Sequence, residues 1–323
     1  MTRRLSLAAA LRVAFGICAS GLVFWLILRF IAKSGVERPL AFEPSWALAA
    51  VALTTLQIGV VALRWAFFSR VLGARLAYEA ALGAYYVSVF LNQLLPLGML
   101  GDAFRGLWHA RRLSTGAAPE RQARPVLDAA TALILDRASG QIALVVLVLP
   151  VLPLWWGPLR AAARGSAALF GPAAALWALL AVAVIVALFS YFWRSALRHT
   201  ARARRIFFRP SALAVHGGSS ILAVFLHVAA FSCAARALGF SLSFGVAARV
   251  VPLVLVASML PSFAFGTGAR EAAAAGLYHL LGLRAAEGAE IALALGLLGF
   301  VASLPGLLVL ALARLRAVTR RRA

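Results

Sequence analysis

Apolar residues run along this chain in long blocks separated by short stretches rich in arginine. A membrane-spanning helix needs about 20 mostly apolar residues. Blocks of that length lie at 11–31, 46–68, 126–150, 167–193, 212–238 and 288–313. Three shorter apolar pieces remain: 78–95 running into Leu95-Pro96, 246–260 running into Leu260-Pro261, and 272–283 following Arg270-Glu271. Apolar stretches of about 10–14 residues are more often re-entrant or interfacial than spanning. The expected fold is therefore all-α. It is a polytopic membrane helix bundle of about six spanning helices plus two oppositely oriented re-entrant or broken helix pairs, read as one domain over 1–323.

Arginine placement supports this threading. Clusters sit at Arg3/Arg4/Arg12, Arg70/Arg75, Arg105/Arg111/Arg112/Arg121/Arg124, Arg194 to Arg209, and Arg314 to Arg322. Cytoplasmic loops carry an excess of Lys and Arg, yet all five clusters cannot be cytoplasmic if every apolar piece crosses the bilayer. The conflict disappears if 78–112 enters and leaves from inside and 246–283 enters and leaves from outside. Both termini are then cytoplasmic, and the smaller set Lys33, Arg38, Arg160, Arg164 and Arg249 faces out.

Composition narrows the class further. The chain of 323 residues is 63% hydrophobic and 13% charged, against about 45–50% and 25% in a soluble domain. That excludes a soluble globular enzyme, a disordered chain and a collagenous one. A net charge of +22 in a soluble protein would point to nucleic acid. Distributed between apolar blocks it reads as basic loops, and no nucleic-acid partner is expected. Cys18 and Cys233 each lie in an apolar stretch, without a second Cys or a His at ligand spacing. No metal site, disulfide or cofactor is expected. The start, Thr2-Arg3-Arg4, has the charge of a signal peptide but no small-residue cleavage site before Ile31, so 11–31 is read as a first membrane helix. No appended soluble domain is expected.

The chemistry concentrates at two broken segments. One reads Asn92-Gln93-Leu94-Leu95-Pro96-Leu97-Gly98-Met99-Leu100-Gly101-Asp102-Ala103-Phe104-Arg105. The other reads Leu260-Pro261-Ser262-Phe263-Ala264-Phe265-Gly266-Thr267-Gly268-Ala269-Arg270-Glu271. Each has Leu-Pro, two glycines, then an acid and an Arg close together. Pro stops a helix, and Gly permits tight turns. Non-helical backbone at membrane depth is tolerated only where protein or a watery cavity surrounds it. Paired broken elements are the sequence pointer to a transporter's central site.

Ionisable residues inside apolar blocks are costly and mark interiors or cavities. Here they are Arg64, Glu79, Asp102, Arg105, Asp128, Asp136, Arg137, Arg236, Arg270 and Glu271. Asp102 and Arg105, three apart, can pair on one helical face. Asp136 and Arg137 are adjacent, point to different faces, and need partners elsewhere, with Arg105 or Arg270 as candidates. Glu271 in the first turn of a half-helix complements its positive end. Arg270 beside free Gly266 and Gly268 amides would suit a phosphate. The substrate-binding set expected from these readings is Asn92, Asp102, Arg105, Asp136, Arg137, Ser262, Gly266, Gly268, Arg270 and Glu271. The tryptophans Trp25, Trp46, Trp65, Trp155, Trp156 and Trp193 fall near expected helix ends, as an aromatic belt would. His109, His199 and His216 fall in or near loops, while His227 and His279 read as packing histidines. No catalytic triad, paired-carboxylate site or metal spacing is evident, so no enzymatic activity is expected.

The order Arg64-Trp65, Asn92 to Pro96, Gly101 to Arg105, Asp136-Arg137 and Leu260 to Glu271 resembles the lysylphosphatidylglycerol synthase transmembrane region family, over roughly residues 10–315. The resemblance implies a bacterial or archaeal inner-membrane protein with the fold of a lipid flippase domain, and Asp136-Arg137 as a site component. In multidomain relatives this region precedes a cytosolic domain that transfers lysine from aminoacyl-tRNA to phosphatidylglycerol. This sequence stops at Ala323, so aminoacyl transfer is not expected of it. Two functions remain as expectations. One is a translocase for lipids with anionic or zwitterionic headgroups; the other is a membrane partner for an enzyme of lipid, hopanoid or glycan biosynthesis. The threading makes a direct prediction. Cysteines introduced within residues 111–121 should react with membrane-impermeant reagents only from the cytoplasmic side, and periplasmic labelling would refute it.

Overall fold

The computed structural model describes residues 42–95, 100–114, 123–165, 205–259 and 268–322. The expected spans 11–31 and 167–193 lie outside these residues. All regular structure among them is helical: α1 Pro44–Val71, α2 Tyr78–Leu94, α3 Leu100–Ser114, α4 Ala123–Val148, α5 Trp156–Gly165, α6 Pro210–Ala237, α7 Phe244–Ala257, α8 Ala269–Leu280, α9 Ala285–Ser303 and α10 Pro305–Arg322. Pro44 and Pro210 open α1 and α6, where the missing N–H costs nothing. Four helical stretches are long and apolar enough to cross a membrane: Pro44–Val71, Val126–Val148, Pro210–Ala237 and Ala285–Ala313, the last formed by α9 and the start of α10. They coincide with four of the six blocks expected from hydropathy. The chain is a helical membrane bundle.

Its spine is the antiparallel pair α1/α6. The Glu43 amide donates to the Ala237 carbonyl, Gln57 reaches the Ala223 carbonyl, Arg64 reaches Ser220, and Phe68 stacks on His216. Large apolar side chains on the outer faces remain open, among them Leu48, Leu56 and Leu63 of α1 and Ile221, Leu222 and Phe225 of α6. In a bilayer these faces meet acyl chains at no cost, and helix association falls to close packing and polar contacts.

Two apolar cores sit at opposite ends of this spine. One gathers Ile58, Trp65 and Phe68 of α1 with Ala81 and Tyr85 of α2 and Ala132 and Leu135 of α4. The other gathers Val228 to Ala235 of α6 with Ala247 to Val254 of α7, Tyr278 of α8 and Ile291 and Leu295 of α9. The broken segments are helix pairs, as their Pro and Gly residues require. α3 folds back on α2, and α8 folds back beside α7. Since α2/α3 belongs to the first core and α7/α8 to the second, the two hairpins approach from opposite ends of the bundle.

Both hairpins lean on α9. A Cβ at Gly296 would overlap the Arg270 guanidinium of α8, and one at Gly299 would stand 3.3 Å from Nε2 of Gln93 in α2. About two turns earlier in α9, a Cβ at Gly288 would stand 2.5 Å from Ala274 O and 2.8 Å from the Tyr278 ring. Small residues let helix backbones approach closely. Gly288→Ala is therefore expected to destabilise the bundle by about 1–3 kcal/mol through overpacking. Gly217→Ala, with nothing within 4 Å of the added methyl, should be neutral or stabilising by up to about 1 kcal/mol. Thermal unfolding of the two variants in detergent would check the contrast.

Candidate functional site

Asp136 is the centre of the first cluster. It lies in the middle of α4 with no accessible surface. Arg64 of α1 donates from Nε to Oδ1 at 2.8 Å. Arg105 of α3 donates from Nη2 to Oδ2 at 3.0 Å, and the Tyr85 hydroxyl of α2 donates to the same oxygen at 3.1 Å. Arg64 also donates from Nη1 to Ser220 of α6 at 2.8 Å. A buried carboxylate is tolerated only when paired and hydrogen-bonded, and this one is satisfied from three helices.

Asp102 carries the network to the tip of the hairpin. It accepts from Arg105 Nη2 at 3.2 Å, from Ser88 at 3.3 Å, from Asn92 Nδ2 at 3.3 Å, and from Arg137 in close contact. Asn92 in turn accepts from the Gly101 amide at 2.7 Å, which fixes the start of α3. A Cβ at Gly101 would overlap the Ser88 carbonyl, so α2 and α3 meet backbone to backbone here. The remaining nitrogens of Arg105 have no acceptor. Its guanidinium instead lies between two ring faces, 4.5 Å from Trp65 and 4.0 Å from Tyr85, a cation–π arrangement that substitutes for solvent.

The network is unbalanced. Three guanidinium groups (Arg64, Arg105, Arg137) face two carboxylates (Asp102, Asp136), one cation in excess. The excess is concentrated at Arg137, whose side chain is 48% accessible while Arg105 has none. Arg137 sits at the middle of the Val126–Val148 span. A cation at that depth is costly to leave against acyl chains, and Asp102 is the carboxylate that meets it.

The second cluster is at the start of α8. Gly268, with φ of 115°, takes a backbone conformation open to glycine. Its amide donates to Glu271 Oε2 at 2.7 Å. Arg270 donates to Glu271 Oε1 from Nε at 3.1 Å and Nη2 at 2.6 Å. His227 of α6 and Gln57 of α1 form a further polar pair on the spine. His227 Nδ1 is 3.5 Å from Gln57 Oε1 of α1, and Gln57 Nε2 donates to the Ala223 carbonyl at 2.9 Å. Gln57 and Arg64 are two turns apart on α1, as are Ser220 and His227 on α6. A polar seam thus runs along the spine from the first cluster to His227.

Of the expected site residues, Asn92, Asp102, Arg105, Asp136 and Arg137 converge in one network, while Gly268, Arg270 and Glu271 form the other. Ser262 and Gly266 lie outside the described residues. Asp136 takes Arg105 as expected and also Arg64; Arg270 pairs with its neighbour Glu271 instead. The Gly268 amide is occupied by Glu271 and is not free for an anion. Trp65 and Trp155 are buried in the two cores rather than at an interfacial belt. His109 is not in a loop but fully buried in α3 against Trp65, and His216 is buried in α6, stacked on Phe207. His227 makes a polar contact, and His279 is exposed. Sequence reasoning missed Tyr85, Ser88, Gln57 and Ser220, whose residue types carry no signal without their partners. Among the described residues no group of His, Cys, Asp and Glu could hold a metal ion.

The two members of the adjacent pair should behave differently. Asp136→Ala leaves Arg64 and Arg105 buried and unpaired, an expected loss of about 3–5 kcal/mol. Arg137→Ala removes a half-open charge and should cost about 0–1 kcal/mol. Unfolding of both variants in detergent tests this; equal losses would contradict the geometry.

Comparison with known proteins agrees with this picture. Neither the curated proteins nor the solved structures contain a match to this chain. The family model described as lysylphosphatidylglycerol synthase TM region matches residues 8–317, nearly the whole sequence. The chain is a multi-pass membrane protein that belongs to the lysylphosphatidylglycerol synthase TM region family, a family connected with lipid modification or translocation.

Proposed function

We propose that this protein is a non-enzymatic lipid translocase of the bacterial inner membrane, with both termini in the cytoplasm. Its cargo is a phospholipid or lipid-linked molecule with an anionic or zwitterionic headgroup. The observation that carries the reading is Arg137: a half-open guanidinium at mid-span, tied to the tip of a broken hairpin through Asp102, in a network with one cation too many. An entering phosphate would supply the missing negative charge. It would compete with Asp102 for Arg137, loosening the contact that anchors α3 to α4, while the acyl chains stay in the bilayer. Arg270, at the tip of the opposite hairpin, offers a second cation, paired with the neighbouring Glu271. Two hairpins from opposite ends, each with an exchangeable ion pair at its tip, are the parts that alternating access requires.

The reading is tested with purified protein in liposomes and a fluorescent phospholipid whose leaflet is reported by a membrane-impermeant quencher. Wild type should move the lipid between leaflets. Arg137→Ala and Arg270→Ala should each slow that movement by about 10- to 100-fold, the effect of losing a charge-assisted hydrogen bond of about 1.5–3 kcal/mol. Unchanged rates in folded variants would overturn the scheme. Lipid that binds the wild type but never changes leaflet would favour a membrane partner of a lipid, hopanoid or glycan biosynthesis enzyme.

A further inference from the structure

The buried acids among the described residues are Asp102, Asp136, Glu271 and Glu290. The first three each hold an arginine. Glu290 holds none. It lies in the second turn of α9, inside the Ala285–Ala313 span, with 7% of its surface accessible. Neither carboxyl oxygen has a hydrogen-bond partner. Buried polar groups are nearly always hydrogen-bonded, and an ionised carboxylate without a donor is costly at such a position.

The surrounding helices do not supply a counter-charge. On the chain itself, Glu287 one turn earlier and Arg284 just ahead of α9 are paired with each other at a more open position. α9 packs against α1, α2, α6, α8 and α10. From α8, Tyr278 lies against Gly288 and Arg270 against Gly296, both well round the helix from Glu290 at 100° per residue. Arg270 and Glu271 hold each other. Arg64 of α1 and Tyr85 of α2 are bound to Asp136, His227 of α6 faces Gln57, and Arg236 of α6 lies over the Trp46 ring. A metal ion would need several further oxygen ligands, and among the described residues no group of acids and histidines provides them. A proton needs one oxygen.

We propose that Glu290 is a proton-binding site that couples movement of α9 to a proton gradient. The carboxyl keeps its proton while it is enclosed. When α9 turns this face to water, the O–H bond breaks, the electron pair stays on the carboxylate and the proton passes to water. The charged side chain then holds α9 in the turned position until a proton returns. The same helix seats Arg270 at Gly296 and Gln93 at Gly299, so both hairpins follow the turn. With both termini cytoplasmic, α9 begins at the outer face, and Glu290 lies about 8 Å along the axis from that start. The coupling rests on the translocation reading, while the proton on Glu290 does not.

The first experiment needs no lipid movement. Unfolding of wild type and Glu290→Gln in detergent is compared between pH 4 and pH 8. The enclosed carboxyl keeps its proton in the folded state, and the unfolded chain loses it above about pH 4.3. Wild type should therefore weaken relative to the neutral, isosteric variant as pH rises, by up to about tenfold in the unfolding equilibrium per pH unit. A difference independent of pH, or a glutamine variant that is less stable at neutral pH or does not fold, overturns the proton site. The second experiment imposes a gradient of one pH unit on liposomes at zero membrane potential and follows a fluorescent phospholipid. Wild type should shift its leaflet distribution by up to about tenfold, the worth of one coupled proton; Glu290→Gln should leave it even. An even distribution with wild type, or a shift driven by a sodium gradient in place of the proton gradient, overturns the coupling. If wild type moves no lipid at all, the translocation reading fails and the coupling with it, and the unfolding comparison alone decides whether Glu290 binds a proton.

Discussion

A carboxylate in the middle of an apolar helix has to be surrounded by donors before the helix can sit in a bilayer at all. Asp136 is that carboxylate. Its partners arrive from three helices through Arg64, Tyr85 and Arg105, and Arg64 extends the grip to α6 through Ser220. One buried acid thereby fixes the mutual placement of α1, α2, α3, α4 and α6. Removing such an ion from water costs several kcal/mol, repaid only when geometry is good and the remaining lone pairs are satisfied. The apolar core around Trp65 and Tyr85 supplies the rest, because the same aromatic rings that pack the helices also lie against the Arg105 guanidinium.

The chain order Asp136-Arg137 converts that structural requirement into an exposed charge. Neighbouring residues on a helix point about 100° apart, so turning Asp136 fully into the bundle places Arg137 at its edge. There its counter-ion is Asp102, borrowed from the hairpin tip. The hairpin is thus held to α4 by a contact that an anionic ligand can replace, while the Arg105–Asp136 contact beneath it remains enclosed. Stability and exchange are separated by one position along the helix.

Much of this was legible in the sequence. Block length located four spans, Leu-Pro and the paired glycines located the breaks, and spacing alone anticipated the Asp102–Arg105 pair and the place of Glu271 in the first turn of α8. What was not legible depends on contacts between residues far apart in the chain. Arg64 and Asp136 are separated by 72 positions and Gln57 and His227 by 170, and no local pattern encodes those meetings. Trp65 looked interfacial because it lies toward the end of an apolar block, yet the extended connection through Leu72, Ala74 and Leu76, alternately buried, folds α2 back over it. His227 looked like a packing residue because a single histidine in an apolar run carries no sign of a glutamine on another helix. The Gly268 amide looked available because only the folded turn reveals that Glu271 reaches back to it.

The paired glycines of α9 have a mechanical consequence. Gly296 and Gly299 are less than one turn apart, about 4.5 Å along the axis, and they seat side chains from opposite hairpins, Arg270 on one and Gln93 on the other. A rotation of α9 that deepens one seat must present a different surface to the other. The helix therefore acts as a shared fulcrum, through which the two ends of the bundle answer to each other.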